Sequence, residues 1–141
     1  MINDNLKMTG AVSIALNGEV VREIPNLVVT TGKNFVASRM KDTTKAAMTH
    51  MAVGTDNTTA AAGQTGLVSE AARGALTSTT VTANAIAYVE TFAAGTGTGA
   101  LVEAGLFNAS SGGDMLCRTV FAVVNKGSAD SMTITWTITV S

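Results

Sequence analysis

The last eleven residues of the chain, "SMTITWTITVS", alternate polar and apolar side chains. Threonines stand between the apolar positions Ile134, Trp136, Ile138 and Val140. Successive side chains of a β-strand point to opposite faces of its sheet, so this segment predicts a strand with its apolar face in a core.

Further strands are predicted wherever runs of β-branched and apolar residues lie between turn signals. Asn17-Gly18 separates residues 9–16 from residues 19–25, and Asn-Gly is the strongest short-range hairpin signal. Pro25 donates no backbone hydrogen bond, so the second strand is expected to end near it. The remaining predicted strands cover residues 47–54, 72–81, 85–93, 101–108, 115–124 and 131–141.

The predicted strand 115–124, "MLCRTVFAVV", has apolar side chains on both faces. Such a strand is typical of a position that is covered on both sides. About eight short strands separated by turns favour a β-sandwich or a jelly roll, and we expect a subunit interface over one outer face. The predicted organisation is a short arm over residues 1–8 and a single mainly-β domain over residues 9–141.

One short α-helix is predicted, over about residues 31–42. Thr31 is its candidate N-cap, and one helical face would carry Phe35, Val36, Arg39 and Met40. Residues 67–76 also contain helix-forming side chains, but Gly74 disfavours a helix and the following threonines favour an extended chain.

Composition excludes several classes of function. Charged residues make up 13% of the chain, the formal net charge is −1, and nine Lys and Arg are spread over 141 residues. A nucleic-acid binder needs a concentrated basic stripe, and no apolar run reaches the roughly 20 residues of a membrane helix, so neither partner is expected. Cys117 is the single cysteine, which indicates synthesis in a reducing compartment without an intrachain disulfide. Scarce charge favours a surface that is covered by partners or by further copies.

No motif of catalysis or cofactor binding has its required context. "GTGTGA" at residues 95–100 matches a dinucleotide-binding pattern, but no helix is predicted after it, so we interpret it as a loop. His50 and Cys117 are the one possible base and nucleophile of a cysteine hydrolase, and nothing brings them together. The acids are interpreted as solvated turn and edge residues: Asp56, Glu70, Glu90, Glu103 and Asp114. No catalytic, cofactor-binding or metal-binding residue is predicted, and no cofactor is expected.

Two further features stay open. Arg39, Lys41 and Lys45 could meet an acidic partner, although cations near a helix C-terminus are also simply favourable there. The segment "VGTDNTTAAAGQTG" at residues 53–66 has the composition of a phosphate cradle, a linker or a surface loop.

The chain resembles structural proteins of tailed bacteriophages, both capsid decoration (cement) proteins and modules of tail or head fibres. The resemblance covers about residues 26–141, and the stretches that carry it are "VVTTGKNFVASRMK", "HMAVGT", "SEAARGAL", "TFAAGTGTGALVEAGLFNASSGGDMLCRTVF" and "TITWTITV". It implies a β-sandwich or jelly-roll subunit, often trimeric and without enzymatic activity. It also implies that residues 53–66 leave a strand and cross the surface as a long loop.

A decoration protein is the function expected from this resemblance. It would be made in the host bacterial cytoplasm and would bind the major capsid protein on the outer surface of the virion as a homotrimer, with Arg39, Lys41 and Lys45 facing the shell. The alternative is a small tail, collar or fibre component that contacts a host glycan.

Overall fold

A computed structural model describes residues 6–41 and 44–141. The described chain is mainly β, with one short helix and two five-stranded antiparallel sheets. The elements, in chain order, are β1 (Met8–Leu16), β2 (Glu19–Pro25), β3 (Leu27–Val28), α1 (Thr30–Arg39), β4 (His50–Gly54), β5 (Glu70–Ala75), β6 (Ser78–Thr82), β7 (Ala85–Phe92), β8 (Gly99–Phe107), β9 (Met115–Lys126) and β10 (Met132–Val140).

The strands divide between the sheets in an order that places the C-terminal strand at a centre. Sheet A has the order β2-β1-β10-β7-β6, and sheet B has the order β3-β9-β8-β4-β5. The two sheets pack face to face, which confirms the predicted β-sandwich; the jelly-roll connectivity stays a prediction. Between them lies one hydrophobic core, to which sheet A contributes Ile14 and Trp136 and sheet B contributes Met51 and Leu106.

The alternation of β10 has the predicted consequence. Ile134, Trp136 and Ile138 are buried in the core, and the threonines between them lie on the outer face of sheet A. Val140 was predicted to share the core face and is 37% exposed, because the strand ends there. The first hairpin is also confirmed, since Asn17 and Gly18 form its two-residue turn with φ angles of 51° and 84°.

Residues 72–81 form two strands rather than the predicted single one. Residues 70–75 belong to β5 at the edge of sheet B, and residues 78–82 belong to β6 at the edge of sheet A. The chain crosses from one sheet to the other at Leu76 and Thr77. This crossing and the two-residue strand β3 raise the number of strands in the described chain from the predicted eight or so to ten.

The outer face of sheet B is covered by the chain itself. Phe107 and Met115 form a second, smaller core there with Val29 and Ala52, and Leu67 from the loop 55–69 packs against it. We name residues 55–69 the covering loop. The covering loop and the helix region therefore bury the beginning of β9, whereas Ala122 and Val123 farther along the strand are exposed. The expected subunit interface stays a prediction.

The helix begins at a tertiary contact instead of a side-chain cap. Its N-cap is Val29, which makes no side-chain cap hydrogen bond, so the prediction of Thr31 as N-cap is wrong. The backbone N–H of Thr30 donates to the carbonyl of Ala62 in the covering loop at 2.8 Å. The helix also lies so close to β9 that a Cβ at Gly32 would collide with the carbonyl oxygen of Leu116. Glycine is therefore required at this position. The helix ends at Arg39, before the predicted end at residue 42, which lies outside the described residues.

Candidate functional site

The covering loop is held by one buried carboxylate. Glu103 of β8 is fully buried and accepts hydrogen bonds from the backbone N–H groups of Asp56, Val68 and Ser69 at 2.9–3.1 Å. These donors lie at the two ends of the loop, so a single side chain ties both ends to sheet B. A Cβ at Gly54 would crowd the Glu103 carboxylate, which explains why glycine precedes the loop.

The positive partner of this carboxylate is Arg118 of β9, which is also fully buried. Its guanidinium contacts Glu103 at 2.9 Å. The same guanidinium donates to the Thr58 carbonyl at 2.8 Å and to Gln64 Oε1 at 3.2 Å, both in the middle of the loop. We name this pair and its loop contacts the loop clasp. Because both charges are fully hydrogen-bonded to each other and to the loop, the clasp fixes the covering loop in one conformation.

The clasp corrects the interpretation of the acids. Glu103 and Glu90 were expected to be solvated, and both are buried. Glu90 accepts from the Thr77 hydroxyl and from the Thr91 N–H, next to the point where the chain crosses between sheets. The signal that could have revealed Glu103 was its position inside the strand segment "LVEAGLF", where a lone acid between apolar residues needs a buried partner.

Beside the helix lies an apolar groove of about 570 Å³, open to solvent. The beginning of β1, β3 and one face of α1 form its walls. The helix contributes residues at the spacing i, i+3, i+4 and i+7, which places them on one face. We name this the helix groove; its lining residues are Leu6, Lys7, Met8, Thr9, Val28, Lys33, Val36, Ala37 and Met40.

The rim of the helix groove carries large exposed apolar side chains. Leu6 is 78% exposed and Met40 is 84% exposed, and both line the groove. The predicted apolar helix stripe is thus divided: Phe35 enters the core, whereas Met40, expected beside it, lies at the groove. A groove with exposed apolar walls is the kind of surface that binds a partner, because covering it removes apolar area from water.

Cations flank this groove. Lys7 and Lys33 line it, and Lys41 follows Met40 directly and is exposed. Within residues 6–41 and 44–141, none of these three lysines forms an ion pair.

Of the three predicted shell-contact residues, two are engaged within the chain. Arg39 donates from its guanidinium to the Lys45 carbonyl at 2.7 Å. Lys45 forms an ion pair with Asp114 at 2.7 Å. Arg39 and Lys45 therefore lie together, and the charge of Lys45 is paired with Asp114. Lys41 is exposed and follows the groove residue Met40 in the sequence.

The residues weighed for catalysis lie apart in the fold. Cys117 is fully buried in the core on β9, and burial raises the pKa of its thiol well above the ordinary 9.0. His50 begins β4, which β8 separates from β9, and its Nδ1 lies 2.8 Å from the Thr49 hydroxyl. The "GTGTGA" segment follows β7: residues 95–98 form the predicted loop, and Gly99 and Ala100 are the first two residues of β8. Among the described residues, no group of three or more metal-ligating side chains converges.

Within the described ranges, no helix is long and apolar enough to cross a membrane. Comparison with known protein families, with curated proteins and with solved structures finds no match for this chain.

Proposed function

We propose that this chain is a non-enzymatic structural protein of a tailed-bacteriophage virion. In this proposal it is a decoration protein that binds the outer surface of the head and stabilises the lattice of the major capsid protein. The family resemblance suggests the virion, and the helix groove is the observation that supports binding to a protein surface.

The chemistry of the groove defines the partner segment. Apolar side chains of the segment would cover Leu6 and Met40, and a carboxylate beside them would pair with Lys7, Lys33 or Lys41. A volume of about 570 Å³ is enough for a few side chains of one segment. The proposed occupant is therefore a surface segment of the major capsid protein with apolar and acidic residues.

A rigid binding face fits this role. One wall of the groove is α1, whose first turn is hydrogen-bonded to the covering loop, and that loop is fixed by the loop clasp. Binding to a face that is already ordered loses little conformational entropy, so more of the contact energy appears as affinity.

Stabilisation of the shell follows from mass action. A ligand that binds only the assembled lattice lowers its free energy by RT ln(1 + [L]/Kd) per site, about 2.7 kcal/mol at a hundredfold excess over Kd. The proposal includes assembly into a homotrimer, since a trimer on a three-fold axis repeats each contact three times and weak contacts then combine. Binding should weaken as salt rises, because exposed lysines are screened over about 8–10 Å.

The direct test is the position of the protein on the virion. Reconstructions of particles with and without the protein should differ by density on the outer shell, at hundreds of copies, and sedimentation of the purified protein should give a trimer. Density at the tail vertex alone, at a few tens of copies or fewer, would overturn the decoration proposal and support the tail, collar or fibre alternative. Particles that never contain the protein would overturn both.

A further inference from the structure

The four edge strands of the two sheets are protected to very different degrees. A free edge exposes unpaired backbone N–H and C=O groups, and proteins commonly protect it with charges, proline or a very short strand. Strand β3 has two residues, and β5 carries the ion pair of Glu70 with Arg73. These two edges of sheet B therefore resist pairing with another strand.

The two edges of sheet A are opposites. Strand β2 contains Glu19, Arg22, Glu23 and Pro25. The guanidinium of Arg22 also donates to the carbonyls of Ala122 and Val123 on β9, which ties this edge to the other sheet. It is charged, interrupted by proline and partly covered.

Strand β6 has none of these protections. Its sequence is "STTVT", without a charge or a proline, and all five residues are exposed. Val81 is 69% exposed, an apolar β-branched side chain on an open edge. The threonines and the valine of β6 have high strand propensity. The strand also contains no charge and no proline that would oppose pairing with a further strand.

We infer that β6 pairs antiparallel with β6 of a second copy of this chain, across a two-fold axis. Centred on Thr80, this pairing sets Thr79 of each copy opposite Val81 of the other, which are favourable β-branched pairs. The absence of charge on β6 favours a second copy as the partner, because an uncharged strand can pair with its own copy in any register without like-charge repulsion. A strand with charged residues would find no opposite charge on β6.

Pairing through β6 joins two five-stranded sheets into one continuous sheet. A two-fold contact is distinct from three-fold assembly, so it can join two monomers or two trimers with the same geometry. The edge is only five residues long, so each contact is weak and gains strength where many copies are held close together.

The test compares two matched valine substitutions on opposite edges of sheet A. Val81→Lys places a charge on β6 opposite Thr79 of the other copy, and the two lysines lie diagonally across the two-fold axis on the same face, roughly 7–8 Å apart, where like charges repel. Val20→Lys places the same charge on β2, where the native valine is 55% exposed. Both positions are exposed, so the fold should hold, and circular dichroism checks this.

Sedimentation over a concentration series gives the readout. At high protein concentration, the mass of the wild type and of Val20→Lys should be twice the mass of Val81→Lys if that variant is a monomer, and at least twice if it is a trimer, because a trimer carries three β6 edges. Amide hydrogen exchange of residues 78–82 should slow in the wild type as concentration rises, and should not change in Val81→Lys. Equal masses for all three proteins, or exchange of β6 that does not depend on concentration, would overturn the inference while leaving the decoration proposal intact.

Discussion

The outer faces of the two sheets are built in different ways. On sheet A, β10 presents half-buried threonines to the surface, and its alternation alone accounts for this face. On sheet B, the outer face is apolar and the chain covers it with the covering loop, which the loop clasp holds. A strand that is apolar on both faces requires a cover, but the pattern does not say whether the cover comes from another subunit or from the same chain.

The largest effect is expected from breaking the loop clasp. Glu103→Gln removes the charge that compensates buried Arg118, and loss of one partner of a buried ion pair costs about 3–5 kcal/mol. Urea unfolding measures this change. The control is Lys45→Gln, which breaks the partly exposed pair with Asp114 and should cost less than about 1 kcal/mol. Similar losses for the two variants would show that the clasp does not hold sheet B's cover.

A smaller effect is expected from shortening an apolar side chain of the covering loop. Leu67→Ala removes apolar contacts of the covering loop with the second core, which should cost about 2 kcal/mol because Leu67 is only partly buried. Amide exchange should accelerate in residues 55–69 and not in β10. Uniform acceleration across both sheets would mean that the loop is not a separate cover.

Alkaline pH should lower the free energy of unfolding through two ionisable groups, Cys117 and Tyr88, in the core that both sheets share. Burial raises the pKa of the Cys117 thiol well above 9.0, and burial raises the pKa of Tyr88 to about 12. The unfolded chain releases these protons at lower pH than the folded protein, so the stability that each group contributes is complete below its unfolded pKa and falls as pH rises above it.

The contribution of Cys117 to the free energy of unfolding should begin to fall near pH 9, by at most about 1.4 kcal/mol per pH unit. The free energy of unfolding, measured by urea at about pH 8 to 10, should show this slope, and Cys117→Ala should remove it. The native thiol should also resist a thiol reagent. Rapid labelling in the folded protein would contradict the burial of Cys117.

The smallest effect is expected on the open face of sheet A. Thr135→Val and Thr137→Val keep the shape of these outer side chains and should change the free energy of unfolding by less than about 0.5 kcal/mol. The matched inner-face change, Ile134→Thr, should destabilise the protein clearly, because Ile134 is fully buried. If outer and inner changes cost the same, the two faces of β10 are not distinguished as described.

How much the sequence predicts depends on the range of the interactions. Local signals suffice for the Asn17-Gly18 hairpin and for the inner face of β10, because period-two alternation and turn preference act within a few residues. The helix start at Thr30 could not be predicted, since its acceptor is Ala62, 32 positions away.

The clasp and the groove were missed for the same reason. Glu103 and Arg118 are neighbours only because β8 and β9 pair, and their loop contacts come from residues 56–69. The groove joins the beginning of β1 to the helix, and the apolar stripe of the helix gave no indication that Met40 stays exposed. Lys41 was identified by its sequence cluster, whereas Lys7 and Lys33, which line the groove, come together only in three dimensions.

The central functional claim is that the helix groove binds the shell, and a binding measurement with one groove variant tests it directly. Met40→Ser removes an apolar side chain that is 84% exposed, and Val68→Ser is the control because Val68 is 50% exposed outside the groove. In cosedimentation with heads purified without the protein, we predict that Met40→Ser binds about tenfold more weakly, or about 1.4 kcal/mol, and that Val68→Ser binds like the wild type. Unchanged binding by Met40→Ser, or an equal loss for both variants, would contradict the claim.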